Sequence, residues 1–279
     1  MPPQPATRRA LLLAALLTTA ALTTAHEFWL QPPQFVVAPG ATLSVRVMVG
    51  ENFSGERWAG KADRITRFVH ASSAGTAALL TAAADTIPTI VTFQQPGTHL
   101  VALATNNAYL ELPANEFNTY LKEEGLDQVL LLRQQQNQLT TPGREAYRRC
   151  AKTLVQVGSV NSRDTARAYA RPVGLPLELV PEQNPYVLRP GSLLTVRVLR
   201  DGQPLAGALV QVWQRSGTQP ARATRFFSNQ NGRVLFRVAA PGSYLVSTVT
   251  MTPATDHTKA DWQSTWASLT FGYGAVNKK

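Results

Sequence analysis

Apolar and polar residues alternate along much of the chain. Between Leu43 and Val49 every second residue is apolar, and the residues between them include Ser44 and Arg46. This period of two predicts half-buried antiparallel strands, because successive side chains of a strand point to opposite faces. Further strands are predicted at 195–199, 208–213 and 234–238, with hairpin turns at Asp201-Gly202 and Asn231-Gly232. The sequence therefore predicts a mainly β protein.

The strand pattern occurs twice. Segment 35–47 aligns with segment 186–198, and in each a strand is followed by a Pro-Gly turn and then by apolar/polar alternation. A second Pro-Gly turn closes each unit, at Pro96-Gly97 and at Pro241-Gly242. Since the two pairs of turns have the same order and similar spacing, we expect two immunoglobulin-like or transthyretin-like β-sandwich domains.

Between the two units the apolar period changes to three and four. A helix is predicted from Pro113, and Gly125 is a natural end for it. Asp127 is predicted to cap a second helix, and Thr141-Pro142 to open a third, since proline is favoured at the first helical position. Cys150 would then lie on the buried face of a helix. As the lone cysteine of the chain, it cannot form an internal disulfide.

The N-terminal segment has the pattern of an export signal. Arg8 and Arg9 precede an apolar run from Ala10 to Leu22, which is too short to span a bilayer. The small residues Thr23 and Ala25 predict cleavage after Ala25, with cleavage after Ala20 or Ala21 as alternatives, and the pattern leaves open which export route is used. No later apolar stretch reaches membrane-spanning length, so we expect a periplasmic or secreted protein without a transmembrane segment.

These patterns divide the chain into four parts. They are a signal peptide at 1–25, a first β-sandwich domain at 26–112, a helical segment and connector at 113–174, and a second β-sandwich domain at 175–279. The formal net charge is +10, or +8 without the two arginines of the signal. It is spread without a basic block, which favours attraction to anionic envelope polymers over a nucleic-acid site.

The histidines offer the clearest candidate chemistry. Cleavage after Ala25 would leave His26 as the first residue, and its α-amine and imidazole could together chelate copper or nickel. The alternative is that His26 is the frayed end of a first strand. His257 lies in a polar loop with Asp256 and Asp261, which is a solvated loop by default but offers an imidazole and carboxylates. We take His257 and Asp261 as weaker candidates to complete a metal site with His26.

The other two histidines are expected to have structural roles. His99 aligns with Tyr244 in the repeat, so a packing role is predicted, and His70 follows the segment 65–69, which predicts a surface position at a strand end. Glu27 and the pair Glu123-Glu124 are carboxylates without an evident partner. The chain has no CxxC, HxxxH or GxSxG motif, and we do not expect an enzyme.

Six short motifs occur together in this chain, at 26–30, 50–53, 120–126, 149–152, 175–178 and 260–271. Their combination resembles the domain of unknown function 4198 family of exported bacterial proteins, and the resemblance covers nearly all of the mature chain. Members are often labelled as periplasmic components of nickel uptake. The resemblance therefore implies a non-enzymatic envelope protein with a nickel or cobalt link, without supplying ligand positions.

Two functions follow as expectations. The first is an exported accessory protein that binds nickel, cobalt or copper and takes part in uptake, or in delivery to a membrane metal transporter or outer-membrane receptor. The second is an envelope polymer-binding, carbohydrate-binding or adhesion module without a metal. Trp262 and Trp266 could form an aromatic platform for such a ligand, although a core position is the stronger expectation for both.

Overall fold

The computed structural model describes residues 27–79, 87, 90–160, 164, 167–238 and 242–273. His26 and the predicted signal peptide lie outside the described residues. Within these ranges the chain forms nineteen strands, two α-helices and three short 3-10 helices. The prediction of a mainly β protein is confirmed. No helix in the described ranges has both the length and the apolar character that crossing a membrane requires.

The first half contains the strands β1 (Glu27–Gln31), β2 (Val36–Val37), β3 (Ala41–Ser44), β4 (Arg46–Glu51), β5 (Ser54–Arg57), β6 (Ile65–Ser72), β7 (Gly75–Ala78), β8 (Ile90–Phe93), β9 (Gly97–Thr105) and β10 (Ala108–Leu112). The helices α1 (Ala114–Glu123) and α2 (Asp127–Gln135) follow. The remaining strands are β11 (Gly143–Val157), β12 (Leu177–Pro181), β13 (Leu193–Arg200), β14 (Gln203–Pro204), β15 (Leu209–Arg215), β16 (Arg222–Phe227), β17 (Arg233–Arg237), β18 (Gly242–Pro253) and β19 (Trp262–Tyr273). The 3-10 helices are Ala62–Arg64, Ala168–Ala170 and Pro185–Val187.

The largest sheet takes strands from both halves of the chain. Its order is β16-β15-β18-β19-β11-β9-β6-β7, and β10 and β2 also pair with β11. At its centre β11 and β19 run parallel, and each has an antiparallel neighbour on its other side, β9 and β18 respectively. Smaller sheets are formed by β1-β4-β5, by β3-β8, and by β12-β13-β14 with β17. The layout of two separate sandwiches is not confirmed, because the largest sheet joins the two predicted units.

The sequence repeat has a counterpart in the backbone hydrogen bonds. The N–H of Gly40 donates to the Phe93 carbonyl at 2.8 Å, and the N–H of Gly191 donates to the Val238 carbonyl at 2.7 Å. Both glycines have left-handed φ angles, 83° and 85°, which glycine adopts at little cost. The strands β9 and β18 follow the second Pro-Gly turn of each unit. Each is the direct neighbour of one strand of the central parallel pair.

The central part of the largest sheet is buried on both faces, whereas its edge strands β7 and β16 are largely exposed. Leu100 and Ala102 of β9 pack in one apolar cluster with residues of β12, β13 and β17. Val101 and Leu103, on the opposite face of the same strand, pack in a second cluster with residues of β1, β4 and β8. Burial on both sides removes the need for alternating polar residues, so such strands read as continuous apolar runs.

The helical segment is shorter than predicted. The helices α1 and α2 lie where two were expected, with Gly125 at a φ of 65° between them. The third helix, predicted from Thr141-Pro142, is wrong because β11 begins at Gly143 and continues to Val157. The C-terminal half of β11 is buried on both faces and therefore lacks the apolar/polar alternation that would have predicted a strand. Cys150 is buried as expected, but on this strand.

Candidate functional site

Two buried carboxyl groups, those of Glu27 and Glu124, lie close to each other near the start of β1, and a third, that of Glu145, is connected to Glu124 through Tyr120. Glu27 opens β1, Glu124 follows the last turn of α1, and Glu145 lies on β11. We call these three residues the glutamate cluster. Their exposed fractions are 4%, 8% and 2%. Burying a carboxylate is expensive unless hydrogen bonds or a positive charge compensate for it, so the partners of these groups define what the site can do.

Glu27 is the member with unused binding capacity. Burial, together with the negative charge of Glu124, raises its pKa to about 7, although a backbone hydrogen bond with Asn52 acts in the opposite direction. Its second carboxyl oxygen, Oε2, is buried and has no hydrogen-bond partner among the described residues. A carboxylate oxygen in this state is an available ligand for a cation.

The hairpin turn between β4 and β5 holds the Asn52 backbone against Glu27. Asn52 and Phe53 both have a φ of 55°, the left-handed pair that a two-residue type I′ turn requires. For a phenylalanine this conformation costs free energy, of order 1 kcal/mol. Phe53 is fully buried, with its ring edge-on to Trp29 at 5.7 Å. The Arg215 guanidinium lies 4.4 Å from the centre of the Phe53 ring. It also donates a hydrogen bond to the backbone carbonyl of Phe53 at 3.0 Å. Packing therefore holds the strained turn in place.

Glu124 is fixed by the end of α1 and by β15. Gln211 on β15 donates through Nε2 to Oε2 of Glu124 at 3.3 Å. Burial raises the pKa of Glu124 to about 7, while the charge of Arg225 opposes that rise. The charge of Glu124 affects the pKa of Glu27, so two carboxyl groups from opposite ends of the first half of the chain lie in one site.

Glu145 is linked to the same site through Tyr120. The Tyr120 hydroxyl donates to Oε1 of Glu145 at 3.3 Å, and the Ser264 hydroxyl makes a short hydrogen bond to the same oxygen. Burial raises the pKa of Glu145 to about 7. The ring of Tyr120 stacks on Trp266 with a centroid distance of 6.1 Å. These bonds orient Glu145 within a rigid aromatic wall.

The weaker predicted metal ligands have other contacts. Arg144 donates to both carboxyl oxygens of Asp261, at 2.6 and 3.0 Å, and also to the His257 carbonyl at 3.0 Å. The hydrogen bond from Arg144 lowers the pKa of Asp261. In the described ranges, no group of three or more His, Cys, Asp or Glu residues is arranged to hold a metal ion. His26, the primary candidate, immediately precedes the described residues.

Two histidines form a pair that the sequence analysis did not predict. Nε2 of His70 lies 2.7 Å from Nδ1 of His99, and Nε2 of His99 lies 2.7 Å from the Gln95 carbonyl. Because a carbonyl only accepts, His99 carries its proton on Nε2 and accepts from His70. His99 is buried, as its repeat partner Tyr244 is, whereas His70 is half-buried within β6 and not at the strand end that was predicted.

Burial lowers the pKa of His70 to about 4, with a further contribution from His99. Burial also lowers the pKa of His99, against the opposing effects of its bond to Gln95 and of Asp164. Both rings are therefore neutral near pH 7. Their mutual hydrogen bond occupies the two ring nitrogens that face each other.

The two tryptophans proposed for a binding platform differ in exposure. Trp262 is 2% exposed and packs in the apolar cluster beneath α1 and α2. Trp266 packs against that cluster and stacks on Tyr120. The core interpretation holds for Trp262, and Trp266 forms part of the wall beside the glutamate cluster.

The sequence motifs meet in two places in the fold. Those at 26–30, 50–53, 120–126 and 260–271 contribute residues to the glutamate cluster and its wall. Those at 149–152 and 175–178 meet in a buried ion pair, in which Lys152 Nζ lies 3.0 Å from Oε2 of Glu178. The joint occurrence of these motifs could be read from the sequence. Where they meet could not, because it depends on strand pairing between distant segments.

Comparison with known proteins identifies one family. Residues 23–252 match the family described as Domain of unknown function (DUF4198). No curated protein matches the chain. Among solved structures, the chain is similar to one titled "D0-D1 domain of Intimin", with 11% identity, coverage of 88% of this chain and 98% of that chain, and a TM-score of 0.20. A TM-score of this size supports no inference about function.

Proposed function

The chain belongs to the DUF4198 family, and from that premise we propose that it is an exported, non-enzymatic accessory protein that binds a transition-metal ion. The metal is nickel, cobalt or copper. Its role is in metal uptake or in delivery to a membrane transporter or outer-membrane receptor, with the mature protein in the periplasm or secreted.

The observation that carries this proposal is the buried, unpartnered Oε2 of Glu27. The residue before Glu27 is His26, and consecutive Cα atoms are about 3.8 Å apart. Cleavage after Ala25 would therefore give the residue that precedes Glu27 in the chain a free α-amine as well as its imidazole. With Glu124 coupled to Glu27, the site offers two nitrogen and two oxygen donors.

The chemistry of these donors fits a borderline divalent metal. Imidazole and amine nitrogens favour nickel, cobalt and copper, whereas calcium and magnesium prefer oxygen alone. A dication would also offset the two buried carboxylates, whose charged forms burial disfavours. We leave His257 and Asp261 out of the proposed ligand set, because Asp261 is ion-paired with Arg144.

The test is a calorimetric titration of the natively processed protein with Ni²⁺ and with Cu²⁺. A variant with one glycine added before His26 removes the terminal chelate, and Glu27→Gln removes a carboxylate ligand. We expect each to weaken binding at least tenfold. Glu123→Gln is the matched control, because it makes the same charge change at an exposed neighbour of Glu124 and should leave binding within twofold.

Unfolding of the variants would not explain such a loss. Burial raises the pKa of Glu27, so a neutral glutamine there should not destabilise the fold. If the extended variant binds as tightly as the processed protein, the terminal chelate is wrong. If Glu27→Gln and Glu123→Gln are equivalent, the carboxylate ligand is wrong.

The alternative is a polymer-binding, carbohydrate-binding or adhesion module, which the net charge of +10 supports. An aromatic platform in such a module cannot rely on Trp262, which is buried. Binding to anionic glycans that weakens with salt and is insensitive to chelators would favour this alternative.

We also propose that the two halves, 26–112 and 175–279, derive from one sandwich unit joined by the segment 113–174. The matching hydrogen bonds of Gly40 and Gly191 support this duplication.

A further inference from the structure

A cleft of about 410 Å³ lies on the outer face of the sheet formed by β12, β13 and β17. Val180 and Leu199 line it. They alternate along their strands with Leu179 and Val198, which belong to the core on the other face. The connector around Pro172 forms another wall. The cleft therefore has an apolar floor, and its size suits a small molecule.

Its polar lining consists of three arginines and one carboxylate, namely Arg167, Arg197, Arg233 and Glu182. Arg197 donates to Oε1 of Glu182 through Nε at 3.0 Å and through Nη2 at 2.5 Å. Arg233 donates to the same oxygen through Nε at 2.8 Å. Burial alone would raise the pKa of Glu182, but the hydrogen bonds from the two arginines outweigh it and lower the pKa.

Glu182 does not satisfy these guanidinium groups. Each has five N–H donors, and within the described ranges the side-chain hydrogen bonds of Arg197 and Arg233 all go to one oxygen. Arg167, on the connector, donates from Nε to the Tyr169 hydroxyl at 3.3 Å. Two arginines thus share one negative charge at the edge of a cleft, and a third arginine lines the same cleft without a bond to that carboxylate. The hydrogen bonds of Glu182 with Arg197 and Arg233 would suffice to link β13 to β17. Such a link would require neither Arg167 nor the cleft.

We propose that this cleft is a binding site for a phosphate-bearing small molecule of about monosaccharide size. The planar guanidinium groups match the geometry of phosphate oxygens, and the apolar floor can cover the non-ionic body of the ligand. The site is separate from the glutamate cluster in the residues that form it, so its test does not depend on metal binding.

The test uses calorimetric titration of the full mature protein with inorganic phosphate, glucose 6-phosphate and glucose. We expect saturable binding of both phosphates, tighter for glucose 6-phosphate, and none for glucose. Arg233→Gln should weaken binding at least tenfold. Arg237→Gln is the matched control, because Arg237 lies four residues further along β17, is exposed and is not part of the cleft.

A second variant tests the role of the carboxylate. Glu182→Gln removes the negative charge that competes with the ligand for Arg197 and Arg233, and should tighten phosphate binding several-fold. Unchanged or weaker binding would overturn the proposed competition. Absence of saturable binding, or equal losses in Arg233→Gln and Arg237→Gln, would show diffuse surface charge and overturn the site.

Vesicles with and without phosphatidylglycerol distinguish the two sources of phosphate. Arg233-dependent binding to the anionic vesicles would identify a lipid headgroup as the ligand. Binding to glucose 6-phosphate alone would identify a free sugar phosphate. Either result supports the site, because both ligands present the same phosphate oxygens to the arginines.

Discussion

At the scale of single residues, the fold depends on a fully buried ion pair. Lys152 of β11 and Glu178 of β12 are 1% and 2% exposed. Glu178 also accepts hydrogen bonds from the backbone N–H groups of Val173 and Leu175, at distances from 2.8 to 3.1 Å. One carboxylate thus connects the large sheet, the small sheet and the connector between them.

Removing one partner should leave the other charge buried and uncompensated. We expect Lys152→Met to lower the free energy of unfolding by about 3–5 kcal/mol. Adding Glu178→Gln to that variant should recover part of the loss, since it removes the stranded charge. Urea unfolding followed by tryptophan fluorescence measures both effects.

The exposed ion pair of Arg144 and Asp261 provides the control. Its side chains are 39% and 34% exposed, so Arg144→Met should cost far less stability than Lys152→Met. Similar costs for the two methionine variants would contradict the assigned importance of the buried pair.

The His70–His99 pair should make stability depend on pH. Because the folded protein holds His70 at a pKa of about 4, below its ordinary 6.5, the unfolded chain binds more protons between these values. Stability from this residue is therefore complete above about pH 6.5 and falls as the pH decreases toward 4. We expect the loss to be about 1–2 kcal/mol, because partial exposure screens the effect.

The measurement compares unfolding free energies at pH 7 and pH 4.5 for the natural protein and for His70→Gln. Glu27, Glu124 and Glu145 have raised pKa values and act in the opposite direction in this window, so the difference between the two proteins is the informative quantity. The variant should lose less stability on acidification. His257→Gln, at an exposed histidine, should behave like the natural protein.

At the scale of elements, the hairpin between β4 and β5 combines a strained turn with a buried ring. Phe53→Gly would relieve the left-handed strain, of order 1 kcal/mol, but would remove a fully buried aromatic side chain, which costs about 3–5 kcal/mol. We therefore expect a net destabilisation of about 2–4 kcal/mol in urea unfolding.

Asn52→Gly is the companion variant. Asparagine tolerates the left-handed region, so this change should alter stability by less than about 1 kcal/mol. If Phe53→Gly were neutral or stabilising, packing would not be what holds the turn against Glu27.

The elements also show what the sequence can predict. The strands β13 and β17 alternate between residues of the core and residues of the outer face, and were predicted close to their observed bounds. The strand β11 was not, because both of its faces are buried in its C-terminal half. The glutamate cluster was visible only as isolated carboxylates, since Glu27 and Glu124 meet through tertiary packing. The His70–His99 pair likewise depends on the pairing of β6 with β9.

At the scale of the whole molecule, the parallel pairing of β11 with β19 unites the two halves. The main apolar cluster contains Val69 and Leu100 from the first half and Leu194 and Phe271 from the second. A shared core of this kind predicts one cooperative unfolding transition. Fluorescence and far-ultraviolet circular dichroism should report the same urea midpoint, and two separated midpoints would indicate halves that unfold independently.

The central position of β19 has a consequence for biogenesis. Residues 145–153 of β11 find their parallel partner only in residues 262–270, which are synthesised long after β11. Until those residues emerge, this edge of β11 stays open to pairing with another nascent chain. A polypeptide truncated before Trp262 should therefore aggregate, so a chaperone that shields the incomplete chain is most valuable until β19 has been synthesised.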